Sequence, residues 1–344
     1  MSTVLNIILA LFLFGLLVLI HEFGHYVFAR IFGVTVNEFS VGMGPVLLSR
    51  KSKKTDILYS LRALPIGGYV AMAGEDGQSD DANGLSSKPK WQRAIVLAAG
   101  AVMNILLGFI LMAVCVTSSP ALGSTVVAGI AEGATSCESG LEVGDEIVSV
   151  GARRVHIPYD LSYAISYYGA DKPSVTLIRA GEKITLENVT FPTQSESGVI
   201  FGVRDFSLRA EKKNFASVCR HTFYQSITTV RVVWESLVDL IRGRYGLEAL
   251  SGPVGVTGSI GSAASSGVRS LLMLLSLITV NLGIFNLLPF PALDGGRLLF
   301  LLIEAVRGKP VKPQIEGAVN FVGLILLFGL MAVVTLKDII GLFS

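Results

Sequence analysis

The residues His21-Glu22-Phe23-Gly24-His25 lie near the end of a predominantly apolar segment, residues 4–28, which is long enough to cross a bilayer. Ionisable side chains inside a membrane helix are energetically costly, so such a cluster marks a functional site by default. On a helix, the spacing of four residues stacks His21 and His25 on one face. The H-E-x-x-H pattern is typical of two zinc ligands with Glu22 as general base, whereas two structural histidines at a helix end are the alternative.

The composition indicates a membrane protein with some soluble portion. Of 344 residues, 51% are hydrophobic and 16% are charged, whereas a soluble protein carries about 25% charged residues. The mean hydropathy is +0.62. A net charge of +2 without a basic tail gives no indication of nucleic-acid binding. Cys115, Cys137 and Cys219 lie at unrelated positions, so they predict no disulfide framework and no cysteine metal site.

Four segments are long and apolar enough to span a membrane. They are residues 4–28, 94–117, 271–288 with a broken continuation to 306, and 319–336. The first segment lacks a basic n-region and a small-residue cleavage site, so we interpret it as a retained helix rather than a signal peptide. Lysine and arginine are concentrated in the loop after the first span and in the loop before the fourth, which predicts that both loops are cytoplasmic. Both termini and the long segment between spans two and three are then predicted to lie outside, with the histidine pair toward the cytoplasm.

Residues 34–73 do not show a helical pattern. Short strands are predicted at 34–39, 57–61 and 69–72, broken by Gly42-Met43-Gly44-Pro45 and Pro65-Ile66-Gly67-Gly68. A small sheet at membrane depth would offer its edge strand to an extended peptide, while an ordinary cytoplasmic hairpin is the alternative that the sequence leaves open. Residues 76–87, rich in Gly, Ser, Asp and Asn, are expected to form a mobile loop.

Residues 123–206 have the composition of a soluble α+β domain, with strands predicted at 125–130, 146–150, 174–179 and 183–189 and a helix at 159–168. The stretch from Gly140 to Ile147 resembles the G-L-x-x-G-D-x-I signature of PDZ domains. The resemblance implies a peptide groove between the helix and a last strand at 198–203, in the permuted order of bacterial PDZ domains. A PDZ-like module that binds no peptide and acts as a steric gate is the open alternative.

An amphipathic stretch follows this domain. Its apolar residues recur at spacings of four and three: Phe223, Ile227, Val230, Trp234, Leu237 and Ile241. Polar residues fill much of the rest: Arg220, Gln225, Arg231, Glu235, Asp239 and Arg242. This pattern favours a helix that lies in the outer membrane interface, ended by Gly243, over a further span.

Two histidines leave a tetrahedral zinc ion one protein ligand short. Asp294 is the candidate, because Pro289 and Pro291 break the third span and set Asp294 at the start of a new helical piece. That position is at the predicted depth of the histidine pair. An acid that only caps the broken helix, with Arg297 as its partner, is the alternative.

The two halves of this site resemble the paired signature of the site-2 protease family of intramembrane metalloproteases. H-E-F-G-H occurs in the first span, and N-L-L-P-F-P-A-L-D-G-G, residues 286–296, in the third. Gly100-Ala101-Val102-Met103-Asn104 resembles the family's G-x-x-x-N element, and Gly42-Met43-Gly44-Pro45 the loop of the bacterial RseP-type (regulator of sigma-E protease) branch. The likeness covers nearly the whole chain. Since the best-known proteobacterial members carry two PDZ domains and this chain shows one signature, their substrate gating need not transfer.

The resemblance implies one bound Zn²⁺ ion, with His21, His25 and Asp294 as its ligands and Glu22 as the catalytic base. Asn286 is implied as a contact for the substrate backbone or the tetrahedral intermediate. Asn281 and Asn104 are further candidates for substrate binding. His156 and His221 are interpreted as structural.

The expected fold is a polytopic α-helical membrane protein with four transmembrane helices, a small membrane-associated β-sheet and one extracytoplasmic PDZ-like α+β domain. The predicted domains are residues 1–122 and 269–344 in the membrane, 123–206 as the PDZ domain, and 207–268 as interfacial helix and linker. The location implied is a bacterial inner membrane, with the termini and the PDZ domain outside and the active site toward the cytoplasm.

The expected function is zinc-dependent hydrolysis of a peptide bond in the transmembrane segment of single-span membrane proteins, unwound at the site. The resemblance suggests anti-sigma factors already cut on their outer side, or remnant signal peptides. The lipid bilayer and a peptide or substrate C-terminus at the PDZ domain are the other expected partners, with no nucleic acid. A metal-ion transporter or sensor and a catalytically inactive peptide-binding scaffold are the alternatives.

Overall fold

A computed structural model describes residues 3–75, 81–196, 199–244 and 246–341. The helices are α1 (Thr3–Ile31), α2 (Lys90–Thr117), α3 (Thr135–Glu138), α4 (Pro158–Tyr168), α5 (Phe215–Ile241), α6 (Pro253–Ser265), α7 (Val268–Leu287), α8 (Asp294–Arg307) and α9 (Pro313–Gly341). The strands are β1 (Val36–Lys51), β2 (Leu58–Met72), β3 (Leu122–Ile130), β4 (Glu146–Val150), β5 (Arg153–Arg154), β6 (Val175–Arg179), β7 (Glu182–Leu186), β8 (Thr193–Glu196), β9 (Val199–Gly202) and β10 (Phe206–Glu211).

The chain forms two compact units. The first unit is Met1–Gly108 with Ser251–Ser344, and the second unit is Phe109–Leu250, so α2 contributes to both. The second unit extends beyond residue 206, where the predicted soluble domain ends, because α5 packs against α4.

Four helices in the described part of the chain are long and apolar enough to cross a membrane, namely α1, α2, α7 and α9. They coincide with the four predicted spans. The first three helices are two to four residues longer than predicted, and α9 extends beyond the predicted fourth span at both ends. The predicted break in the third span is also present. α7 ends at Leu287 and α8 begins at Asp294, and the connection contains both prolines and Ala292, whose φ of +71° is left-handed.

In the first unit, β1 and β2 form one irregular sheet. Residues 38–41 pair with residues 68–71 on one side and with residues 58–61 on the other, and residues 58–61 pair in turn with 48–51. The three predicted strands lie within β1 and β2, except for the first two residues of the first strand and Ile57, but the prediction that the two glycine- and proline-containing motifs break them is wrong. Both motifs lie inside long strands, where left-handed glycines such as Gly42 and Gly67 produce bulges instead of ending the strand.

This sheet packs on α1, α2 and α8 through a shared apolar core that includes Ala29, Val36, Val70, Val96 and Leu301. Residues 68–72 form one edge of the sheet among the described residues. Of the loop predicted at 76–87, residues 76–80 lie outside the described part, and Leu85 is buried in the same core.

In the second unit, the sheet has the strand order β10-β3-β4-β6-β7, with β5 paired to β4. The strands predicted at 125–130, 146–150, 174–179 and 183–189 correspond to β3, β4, β6 and β7, and α4 covers their core. In the PDZ-like signature, Asp145 is fully buried and accepts hydrogen bonds from the Arg179 guanidinium and the Glu142 backbone N–H. These bonds hold the turn that leads into β4.

The predicted peptide groove involves β9, because the strand expected at 198–203 is β9, with Gly198 outside the described residues. β9 pairs with β8 in a separate hairpin. At Gly202 its backbone packs directly on α4, since a Cβ added there would lie 2.7 Å from Gly169 Cα and closer still to Ile165 O.

Candidate metal centre

Three side chains from α1 and α8 converge in the first unit. His21 Nε2 and His25 Nε2 are 3.2 Å apart. Asp294 Oδ2 lies 3.1 Å from the former and 3.3 Å from the latter. Among the described residues, these three form the only cluster of His, Cys, Asp or Glu side chains that could hold a metal ion.

The chain brings these residues together by two local devices. One turn of helix separates His21 from His25, so both rings project from the same face of α1. Asp294 is the first residue of α8. The proline-containing connection between α7 and α8 interrupts the helix, and this break places Asp294 beside the histidine pair. The chain-distant aspartate thus reaches the histidine pair through a broken helix.

The triangle of ligand atoms fits a zinc ion. In a tetrahedral site with bonds of about 2.0 Å, two ligand atoms are separated by about 3.3 Å. The three observed separations, 3.1 to 3.3 Å, are close to this value and to one another. Asp294 Oδ2 is buried and has no hydrogen bond of acceptable geometry, although both ring nitrogens are near. Converging lone pairs that are close but not hydrogen-bonded are typical of ligands arranged around a cation.

Gly100 of α2 makes room for the histidine rings. A Cβ built on Gly100 would lie 2.7 Å from His21 Nε2 and in closer contact with His25 Nε2. Any larger residue would therefore occupy the space in which the two nitrogens converge. The glycine lets the backbone of α2 approach the ligand atoms directly.

Two further groups on α2 contact the other nitrogen of each ring. His25 Nδ1 donates a hydrogen bond to Val96 O at 2.8 Å, which leaves Nε2 with its lone pair toward the cluster. His21 Nδ1 lies 3.3 Å from Asn104 Nδ2. The other amide atom, Asn104 Oδ1, is buried and has no hydrogen-bond partner among the described residues. The amide O and N of Asn104 have nearly the same size, so the side chain fits equally well with the two atoms exchanged. In that orientation Asn104 Oδ1 accepts a hydrogen bond from His21 Nδ1–H, and the buried oxygen has a partner.

Glu22 lines the same cavity as His25 and Asp294, whose volume is about 290 Å³. Glu22 Oε2 accepts a hydrogen bond from Val70 N at 3.1 Å, so the carboxylate is held by the edge of the sheet. The other residues around this cavity are Tyr69, Val70, Met72, Glu75, Leu97, Ala292, Leu293, Arg297 and Asn320. A larger cleft of about 520 Å³ lies near Arg30 and contains none of the metal-centre residues.

The predicted substrate-contacting asparagines lie in three different surroundings. Asn104 is fully buried beside His21, without access to the cavity. Asn281 is exposed on α7 and Asn286 is half-buried near its end, and neither lines the cavity. The structure therefore brings His21, Glu22, His25 and Asp294 together, and neither Asn281 nor Asn286 lines the cavity beside them.

Several residues at the site were not singled out from the sequence. Asn320 of α9 lines the cavity and accepts a hydrogen bond from the backbone N–H of Ala292. Arg297 donates to Glu75, which also accepts from the Met72 backbone N–H, so this ion pair connects α8 to the edge strand. A polar residue in the first turn of an apolar span is the only signal that points to Asn320 in the sequence.

Comparison with known proteins gives matches over nearly the full length. A sequence profile described as peptidase family M50 matches residues 9–330. A Clostridium acetobutylicum protein with a provisional zinc metalloprotease name is 34% identical over 336 residues, which cover 97% of each chain. Zinc metalloprotease RasP of Shouchella clausii is 30% identical over 96% of this chain and 98% of its own length. Regulator of sigma-W protease RasP of Bacillus subtilis is 28% identical, with 98% and 99% covered.

Proposed function

Because the chain belongs to peptidase family M50, we propose that it hydrolyses a peptide bond inside the transmembrane segment of single-span membrane proteins. Family membership confirms the predicted resemblance to the site-2 proteases, the metallopeptidase activity and the zinc cofactor, and it agrees with a multi-pass membrane protein. The observation that carries the proposal is the convergence of His21, His25 and Asp294 beside a cavity lined by Glu22.

In this proposal His21, His25 and Asp294 hold the zinc ion. Support comes from the near-equal separations of their ligand atoms and from the hydrogen bond of His25 Nδ1 to Val96 O. Zinc supplies a Lewis acid that polarises the scissile carbonyl and lowers the pKa of water. We assign Asn104 to orienting His21 rather than to binding substrate, because its side chain is buried against that ring.

Glu22 is proposed as the general base. Its Oε2 is held by Val70 N–H, which leaves Oε1 to accept the proton of the attacking water. The same oxygen then delivers the proton to the departing amide nitrogen, so that Glu22 ends each cycle in its starting state. Both carboxylate oxygens are thereby used, one for orientation and one for proton transfer.

The substrate is proposed to lie in an extended conformation along the sheet edge formed by residues 68–72, where Val70 N–H stays bonded to Glu22 and Met72 N–H to Glu75. A helical carbonyl is hydrogen-bonded within its own helix, so the substrate must unwind before attack. Tyr69, Val70 and Met72 line the cavity that contains Glu22, so a strand added at this edge would cross the metal centre. This favours the edge-strand interpretation of the region over an ordinary hairpin.

The sidedness of the protein and its substrates belong to the same proposal. The distribution of basic residues favours both termini and the α+β domain outside, with the metal centre toward the cytoplasm of a bacterial inner membrane. The Bacillus subtilis relative carries the name regulator of sigma-W protease. We therefore favour anti-sigma factors already cut on their outer side as substrates, with remnant signal peptides as the second class.

The PDZ-like domain is proposed to act as a steric gate rather than through a peptide groove between α4 and β9. The direct packing of Gly202 on Ile165 and Gly169 supports this, because it fills one end of the predicted groove. The domain boundaries of residues 123–206 and 207–268 remain part of this proposal.

The proposal is tested with purified full-length protein reconstituted with a tagged single-span substrate. Glu22→Gln should retain zinc and lose cleavage, whereas Glu138→Gln, a matched change in the second unit, should leave both unchanged. Cleavage that persists in Glu22→Gln would contradict the assignment of Glu22 as the general base. Zinc flux across proteoliposomes without substrate hydrolysis would favour the metal transporter, and substrate binding without hydrolysis would favour the inactive scaffold.

A further inference from the structure

Helix α5 buries its polar side. Its buried residues are Ser217, His221, Gln225, Ser226, Thr228, Thr229, Val233 and Asp239, of which all but Val233 are polar. A surface helix of a soluble domain shows the opposite pattern, with its apolar stripe turned inward. The surroundings of the outward face of α5 must therefore differ from bulk water.

The side of α5 that faces the α+β domain of the second unit forms hydrogen bonds with it. Thr228 Oγ1 donates to Asp160 Oδ1 at 2.6 Å. Glu235 accepts hydrogen bonds from Arg153 at 2.6 Å and from Tyr163 OH at 2.8 Å. Burial and the neighbouring Glu235 raise the pKa of Tyr163, so it stays a donor to that carboxylate. The acidic side chains of α5 thus face the domain: Glu235 with Arg153 and Tyr163, and Asp239 with Tyr167 and Arg244.

The outward face of α5 carries a stripe of large apolar side chains. Phe215 is 86% exposed, Trp234 is 52% exposed and Ile241 is 77% exposed, and Phe223 is exposed between them. They extend from one end of the helix to the other. Exposed large apolar side chains along the whole length of a helix indicate contact with a membrane or a partner.

Arginines flank this stripe on one side. Arg220, Arg231 and Arg242 are spaced by eleven residues, which is close to three helical turns, so they lie in a row. Arg220 pairs with Glu211. Arg231 and Arg242 are exposed and form no ion pair within the described part of the chain. Because the acids of α5 face the domain, the outward face is positive and apolar.

The start of α5 is fixed at the end of a membrane span. Lys213 Nζ, two residues before the helix, donates to Thr117 O and to Ser119 O, both at 2.7 Å. Thr117 is the last residue of α2, one of the four candidate spans. α5 therefore begins next to the end of a candidate membrane span.

We propose that the outward face of α5 lies on the bilayer surface and that Arg231 and Arg242 bind the phosphates of anionic phospholipids. Trp234 and Phe223 enter the boundary of the acyl chains, where amphipathic aromatic side chains are favoured. Basic side chains next to such a surface bind anionic headgroups in preference to zwitterionic ones. A lipid surface explains the apolar stripe, the arginine row and the attachment to α2 together. It does not depend on the proposed hydrolysis.

The experiment uses the fluorescence of Trp234. The chain contains two tryptophans, so Trp91→Phe leaves Trp234 as the only one. The full-length variant is placed in nanodiscs of phosphatidylcholine alone, or of phosphatidylcholine with phosphatidylglycerol, and each lipid mixture carries a quencher near the headgroup. We expect blue-shifted emission and strong quenching, with quenching greater in the presence of phosphatidylglycerol. The difference between wild type and Trp234→Phe gives the same signal with Trp91 in place.

The arginines are tested in the same background. Arg231→Gln combined with Arg242→Gln should abolish the dependence on phosphatidylglycerol, at about fivefold in surface partitioning for each arginine lost. Arg209→Gln, on β10, is the matched control and should change nothing. Trp234 that is unquenched in both lipid mixtures would overturn the lipid contact, as expected if a protein partner covers the stripe. Equal quenching of the Trp91→Phe protein in the two lipid mixtures would overturn the role of the arginines. A dependence on phosphatidylglycerol that persists in the double variant would also overturn it.

Discussion

Asn320 Oδ1 accepts a hydrogen bond from the backbone N–H of Ala292 at 3.1 Å, two residues before Asp294. Ala292 has a left-handed φ of +71°, a conformation that a non-glycine residue adopts only when its surroundings hold it. Asn320 belongs to α9, so a different span fixes the conformation of the loop that carries Asp294. This bond holds the loop that leads into Asp294.

Asn320→Ala is therefore expected to accelerate zinc loss to a chelator about fivefold, in line with one net hydrogen bond. Asn320→Asp keeps an acceptor and should restore most of the retention. The measurement is the rate of zinc release from detergent-solubilised protein. Equal release rates in wild type and Asn320→Ala would show that the loop holds Asp294 without α9.

Gly100→Ala tests the close approach of α2 to the ligand nitrogens. The added methyl group would press on both Nε2 atoms, so zinc affinity should fall by at least the roughly 10- to 100-fold seen when groups around metal ligands are changed. Gly329→Ala on α9 is the matched control, because a Cβ there meets nothing within 4 Å. Competitive zinc titration compares the two, and unchanged affinity in Gly100→Ala would contradict the geometry.

Asp294→Asn should lower zinc occupancy more strongly than changes outside the ligand set, because it removes a charged ligand atom. Asp56→Asn, in the exposed hairpin between β1 and β2, serves as the control. Zinc content per protein after gel filtration is the measurement. Full occupancy in Asp294→Asn would remove this residue from the ligand set and favour its role as a helix cap.

Asn104→Leu separates a residue that orients His21 from one that binds substrate. Loss of the acceptor for His21 Nδ1 should reduce zinc affinity about 10- to 100-fold, with little effect on KM once zinc is saturating. Asn281→Ala, on the exposed side of α7, should leave zinc affinity unchanged. A raised KM with normal zinc affinity in Asn104→Leu would restore the sequence-based prediction.

The sheet beside the cavity should be sensitive to acid through Glu38. Burial would raise the pKa of Glu38, but hydrogen bonds from Ser60, Tyr69 and Arg62 outweigh it and hold the pKa below the ordinary 4.5. A lowered folded-state pKa means that this carboxylate stabilises the sheet above pH 4.5, and that the stabilisation is lost as the pH falls through the folded value.

Hydrogen exchange of the β1–β2 sheet, corrected for intrinsic rates, should thus show constant protection from neutral pH down to about 5 and a decrease in more acidic solution. Glu38→Gln should remove this decrease and lower protection at neutral pH. Identical acid profiles for the two proteins would mean that Glu38 does not contribute.

The sequence predicted the four apolar spans and the convergence of His21, His25 and Asp294, because the spans are local features and the three residues belong to two recognisable motifs. Hydropathy over some twenty residues identifies a span without knowledge of its neighbours. The spacing of four residues places His21 and His25 on the same face of any α-helix. The bends of β1 and β2 could not be predicted in this way. A glycine at positive φ ends a strand or bends it depending on the partner strand, so the sequence around Gly42 and Gly67 does not distinguish a turn from a bulge.

The environments of Asn104 and Asn320 cannot be predicted from the sequence, for a related reason. Each is one polar residue in an apolar helix, and only the packing of α2 and α9 decides whether it contacts a ligand, a loop or a substrate. The amphipathic pattern of α5 was visible, but its periodicity cannot tell which face is buried. The buried face of α5 is determined by hydrogen bonds to specific partners such as Asp160 and Arg153, which lie far from α5 in the sequence.

The broken third span has a consequence for biosynthesis. His21 and His25 emerge from the ribosome with the first helix, whereas Asp294 follows only after the α+β domain and α7 have been made. A nascent chain therefore carries an incomplete ligand set through most of its translation and insertion. The proposed metal centre is therefore complete only after Asp294 has been made, and a partly made chain lacks one of its three proposed ligands.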